Sequence, residues 1–189
     1  IDDVLKPVDL LVESENLGAL SEAARAIRIA DIAVPLPLIG TVSPFLTGFN
    51  SLYCHVTDTI RAEGRLAAGG LPHGHTFLLL QSLRGYSNLI YDMADDEPRL
   101  HTLIAIVEAF NLFLIRRYVD LGAEWIGYPE DLGMQNGPML SPEHFRRYIQ
   151  PVYQRLMAPA RKAGCIVHMH SDGDVRALVD DLISGGVEV

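Results

Sequence analysis

Residues 166–174 read IVHMHSDGD, an apolar run that carries His168 and His170 and ends in Ser171, Asp172 and a glycine. Histidines two apart on a strand lie on the same side of it. Imidazole and carboxylate both suit a divalent ion such as zinc, so His170 and Asp172 are candidate metal ligands. His168 lies deeper in the run. It is either a core histidine with its hydrogen bonds satisfied or a group facing substrate. A second apolar run, AEWIGYP at 123–129, leads directly into Glu130 and Asp131. These two could serve as general acid and base, as ligands or as orienting groups. The plainer reading is a solvated turn that caps the next segment. Two strand ends bearing carboxylates and imidazoles suggest one shared site at one rim of a sheet or barrel, where α/β enzymes place their chemistry.

Other residues carry weaker signals. His73 and His75 repeat the His-x-His spacing, but glycines and a proline flank them. Two ligands on a flexible loop make a poor metal signal. Ser43, Phe45 and Thr47 follow a third apolar run and are candidates to line a substrate pocket, although apolar packing accounts for Phe45 equally well. Arg146 and Arg147 read as a solvated helix face.

The elements that must position these groups alternate. Residues 14–29 have a helical apolar face. Residues 31–40 read as a proline-tolerant strand, and a turn and short helix run on to about residue 56. Residues 63–75 are glycine-rich and read as a surface loop or lid. Short helices are expected at 76–83 and 87–94. A long helix follows the acidic start at Asp95 and stops at Gly122. Ser141, Pro142 and Glu143 open another helix, which Pro151 should bend and Gly164 should end. Residues 165–170 form a strand, 175–183 a helix, and 186–189 the opening of a further strand. This alternation implies parallel strands with right-handed helical crossovers, in a (β/α) barrel or an open sheet. The chain has neither a G-x-G-x-x-G turn nor a P-loop lysine motif, which disfavours a nucleotide-binding sheet.

A length of 189 residues suits one domain, and 49% hydrophobic with 21% charged residues is ordinary for a globular protein. A net charge of −9 argues against nucleic acid or anionic membrane as the main partner. Cys54 and Cys165 are too few for a disulfide framework and fit a reduced, cytoplasmic setting. No signal-like leader opens the sequence. The most apolar window, 103–115, contains Glu108 and Asn111 and is short for a membrane span.

The stretch from Glu130 to Phe145, EDLGMQNGPMLSPEHF, with IQPVY after it, resembles the middle of the uroporphyrinogen decarboxylase superfamily. So do the His-Ser-Asp-Gly turn at 170–173 with residues 175–189, and PLIGTVSPFLT at 37–47. The resemblance implies an enzyme built as an α/β (β/α)8 TIM barrel. This chain would supply its central and later portion as a single domain, since such barrels take about 250 residues. One branch of the superfamily decarboxylates a tetrapyrrole without a cofactor, using an arginine-rich N-terminal segment that has no match here. The other resembles methylcobamide:coenzyme M methyltransferases and demethylases, which hold zinc on a His-x-Cys turn and a later ligand. His170 and Asp172 match that turn, with aspartate in place of cysteine, and the later ligand would fall beyond Val189. The resemblance therefore implies zinc-assisted methyl transfer, with a corrinoid as methyl donor or substrate and Glu130 close to the ion. It also implies a small-molecule substrate and a corrinoid-protein partner, and the open strand edges of a partial barrel suggest pairing with another chain, as in a homodimer. Tetrapyrrole decarboxylation and a non-catalytic corrinoid- or tetrapyrrole-binding barrel are the alternatives.

Overall fold

The computed structural model describes residues 58 and 60–189, which belong to one compact unit, Thr57–Val189. The elements expected at 14–29, 31–40 and 41–56 lie outside the described residues, as do Ser43, Phe45, Thr47 and Cys54.

The core is a parallel sheet of three strands in the order β1, β2, β5, namely Ala68–Gly70, Trp125–Pro129 and Ile166–His170. The register places Gly70 beside Gly127 and Pro129 beside His170, so all three strands point their C-terminal ends to one rim. Between β1 and β2 come α1 (Phe77–Arg84), α2 (Tyr86–Ala94) and α3 (Pro98–Asp120). Between β2 and β5 come a small antiparallel hairpin, β3 (Gly133–Met134) with β4 (Gly137–Pro138), then α4 (Pro142–His144) and α5 (Gln150–Lys162). A 3₁₀ turn, Arg176–Leu178, and α6 (Val179–Gly185) follow β5. The fold is thus mixed α/β with parallel strands and helical crossovers.

The apolar runs at 125–129 and 166–170 become strands for the reason their composition indicates. Ile126 and Val167 are fully buried on the face that meets the helices, and burying each is worth roughly 1.5–3 kcal/mol. Tyr128 joins them and donates its hydroxyl to the Leu156 carbonyl on α5 at 3.2 Å. The opposite face carries Trp125, Gly127 and Pro129 beside Ile166, His168 and His170. On it the Trp125 and His168 rings lie 4.7 Å apart, centroid to centroid.

β1 lies inside the stretch expected to be a loop or lid. Its three residues, Ala-Gly-Gly, have no large apolar side chain to announce a strand. Gly69 is required there, because a Cβ would sit 2.5 Å from the Tyr118 ring of α3. Two further local readings are refined. α3 begins at Pro98, with Glu97 as its cap accepting the Arg99 amide at 3.2 Å. Pro151 sits in the first turn of α5, and the irregularity precedes it as a π segment, Phe145–Ile149, in which the Gln150 amide reaches back to Phe145. By length and composition α3 could cross a membrane. Here Leu100, Ile104, Val107 and Ile115 are buried, and Glu108 pairs with Arg155 of α5 at 2.5 Å.

Residues after α6 turn back toward β5. The Glu188 amide donates to Val167 at 3.0 Å and the Met169 amide donates to Val189 at 2.9 Å.

Candidate metal centre

The rim is built by backbone first. Beyond the paired strands, the Glu130 amide donates to the His170 carbonyl at 2.9 Å and the Leu132 amide to Ser171 Oγ at 2.9 Å. The Asp172 amide donates to Asp131 Oδ1 at 3.0 Å, and the Gly133 amide to the Asp172 carbonyl at 3.2 Å. A Cβ on Gly133 would lie 2.5 Å from the Gly173 carbonyl carbon, so the two post-strand loops cross backbone on backbone. The strand ends near 130 and 171 therefore converge.

The first βα loop closes the same rim. The Leu71 amide donates to the Gly127 carbonyl at 3.0 Å and the Gly74 amide to the Pro129 carbonyl at 2.9 Å. Asn111, buried in α3, donates to the His75 carbonyl at 2.6 Å. The glycine- and proline-flanked loop that reads as floppy in sequence is thus pinned along its length. It delivers His73 to the site.

His73, Asp131 and His170 each offer one donor atom, and the three atoms lie within 4.8 Å of one another. His73 Nε2 is 3.2 Å from Asp131 Oδ2, and His170 Nε2 is 3.7 Å from Asp131 Oδ1. The two histidine side chains are about half exposed, so the cluster opens to solvent. The Asp172 amide, and after it the His73 imidazole, hold the Asp131 carboxyl below the usual carboxylate range. Two imidazoles and an ionised carboxylate, one from the end of each of three strands, are a donor set that fits zinc or a similar divalent ion. Asp172 stands at the edge of this trio. Its carboxylate is 3.6 Å from His170 Nε2 and 79% exposed, while its amide orients Asp131.

Glu130 and Asp131 are neighbours in sequence with opposite environments. Glu130 is fully buried. Its Oε1 accepts the Thr76 amide at 2.9 Å and the Leu78 amide at 3.0 Å, at the start of α1. Its Oε2 accepts the Tyr153 hydroxyl and lies 3.9 Å from His75 Nε2. Burial, opposed in part by Glu130, lowers the pKa of His75, so its ring is neutral at pH 7. Burial, reinforced by the Glu130 charge, raises Tyr153 well above its ordinary value and keeps it a hydroxyl donor. The pair expected as acid and base, ligands or orienting groups therefore divides, with Glu130 buried toward the helices and Asp131 at the open rim. His168 sits on the strand face shared with His170 and is half-buried against Trp125.

His73 is the group that sequence reasoning set aside. It stands three residues beyond β1, as Asp131 and His170 stand at the ends of β2 and β5, but no apolar run in the sequence marks that strand.

Comparison with known proteins adds one finding. A family model described as uroporphyrinogen decarboxylase (URO-D) matches residues 65–189. No curated protein and no solved structure matches the chain.

Proposed function

Since the chain belongs to the uroporphyrinogen decarboxylase superfamily, whose members are generally enzymes, we propose that it is a metal-assisted methyltransferase of the cobamide type. The observation that carries this reading is the convergence of His73, Asp131 and His170 donor atoms within 4.8 Å. In this reading the described sheet is an arc of a TIM barrel, and its rim is the active-site end.

His73, Asp131 and His170 would hold the ion, which when bound would favour the thiolate form of an acceptor at neutral pH. The chain's own residues do the rest. Asp131 stays ionised because the Asp172 amide and His73 stabilise its charge. Ser171 and Asp172 lock the ends of β2 and β5 together through their bonds to Leu132 and Asp131. Trp125 and His168, their rings tilted by 35°, provide a half-buried aromatic surface on the strand face beneath the rim, against which a corrinoid or a small acceptor could rest. The substrate is a small molecule, with the methyl group carried by a corrinoid on a partner protein.

Decarboxylation of a tetrapyrrole remains the second reading, favoured by an ionised carboxylate at an open rim. That reading calls for arginines free to bind carboxylates, and among the described residues Arg176, which follows the β5 loop, is paired with Asp174 at 2.7 Å.

The test is metal analysis of the chain and of His170→Ala after equilibration with zinc. About one ion per chain is expected for the parent, and loss of most of it in the variant. Equal metal content in the two proteins would sink the proposal. Conversion of uroporphyrinogen to coproporphyrinogen would favour the second reading.

A further inference from the structure

We propose that Glu130 is a positioning residue, which aims His73 at Asp131 by fixing the loop between β1 and α1. The inference rests on the metal-centre reading and adds to it a residue that touches none of the reacting groups. Glu130 is fully buried, and one of its oxygens gathers the Thr76 and Leu78 amides at 2.9 and 3.0 Å. Those amides belong to the unsatisfied first turn of α1. The loop that carries His73 runs directly into that turn. Two other anchors of the loop, the Gly127 and Pro129 carbonyls, lie on β2, the strand that leads into Glu130, and a third, Asn111, holds the His75 carbonyl from α3. One short stretch of backbone thus sets both partners, holding the His73 loop through the Glu130 side chain and carrying Asp131 as the next residue.

The Tyr153 hydroxyl on the second oxygen secures the carboxylate against α5. The reach of the Glu130 side chain is therefore what matters, and its charge is secondary. Two substitutions separate these properties. Glu130→Asp keeps the charge and withdraws the oxygen from the α1 amides. Glu130→Gln keeps an oxygen at the same reach and removes the charge.

The experiment titrates cobalt(II) into the 189-residue chain and both variants, reading the visible d–d bands, which report the ligand geometry. Glu130→Asp should bind cobalt about tenfold more weakly and with shifted bands, a loss of the size seen when outer partners of ligands are changed. Glu130→Gln should retain the parent affinity and spectrum. The double variant Glu130→Asp with His73→Ala should bind no more weakly than His73→Ala alone. Parent-like binding by Glu130→Asp overturns the proposal, as does a Glu130→Gln loss equal to that of Glu130→Asp, which would show that reach alone does not set the site. If the parent chain takes up no cobalt, the metal-centre reading fails. The hold on the loop is then read from hydrogen exchange at the Gly74, Thr76 and Leu78 amides. Faster exchange in Glu130→Asp alone supports it, and equal rates in all three proteins overturn it.

Discussion

At the scale of single residues, the rim separates groups that look alike in sequence. Asp131 and Asp172 are both carboxylates after a strand, yet only Asp131 lies between the two imidazoles. Asp131→Asn should therefore weaken divalent-metal binding by about 100-fold, while Asp172→Ala, which keeps the backbone amide, should leave it near the parent value. Calorimetric titration of both variants with zinc checks the pair. The sequence marks His170 and Asp172 as ligands and Asp131 as an acid or base, because each stands at or just after the end of an apolar run of strand length; the trio instead joins Asp131 to His170 and leaves Asp172 at its edge. His73 was not legible, because the order of its loop comes from distant partners. Thr76 is held by a residue 54 positions away and His75 by one 36 positions away. No local pattern of glycine and proline records such contacts. Nor could sequence spacing show that Glu130 and Asp131 face opposite ways.

At the scale of elements, the two post-strand loops and the helical turns carry the strain of assembly. Gly133 and Gly173 touch through their backbones, so Gly133→Ala must push the loops apart. A loss of roughly 1–3 kcal/mol is expected in urea unfolding, together with weaker metal binding, since Asp131 and Asp172 lie in those loops. A second junction joins the α2–α3 turn to the π segment. Asp96, in the left-handed region at φ 53°, meets His101 at 3.0 Å, accepts the Tyr148 hydroxyl at 2.9 Å and pairs with Arg147. The hydrogen bonds from His101 and Tyr148, with Arg147 adding to them, hold its carboxyl below the usual carboxylate range. A depressed carboxyl contributes stability that is fully present above the unfolded value and lost as pH falls through the folded one. Asp96→Asn should accordingly lower Tm at neutral pH, and the gap from the parent should close as pH falls through the acid range, as followed by thermal melts. Most helices were readable from caps and apolar stripes, as with Ser141, which accepts the His144 amide at 3.1 Å. β1 was not, because three small residues pack by the absence of side chains.

For the whole molecule, the sheet has one face packed on helices and another that carries Trp125, His168 and His170. In the barrel reading that second face turns inward, so the outer edge of β1 and residues 187–189 should each pair with a further strand. Slow hydrogen exchange at β1 amides not bonded to β2, comparable to that within β2, is the expected outcome; exchange at solvent rates would argue for an open sheet. Alternation of strand and helix made the α/β class legible from sequence. Closure was not, because it depends on edge pairing that periodicity does not encode. The β3–β4 hairpin hangs beyond the glycine crossing, with Met134, Gln135 and Asn136 exposed. Met134 accepts the Asp174 amide at 2.8 Å and ties the hairpin to the β5 loop, which leaves Gln135 and Asn136 as the positions where the tip can lengthen or change composition. Substrate preference could thus drift by insertions there while the chemical apparatus stays constant, a division of labour that lets one scaffold serve many reactions.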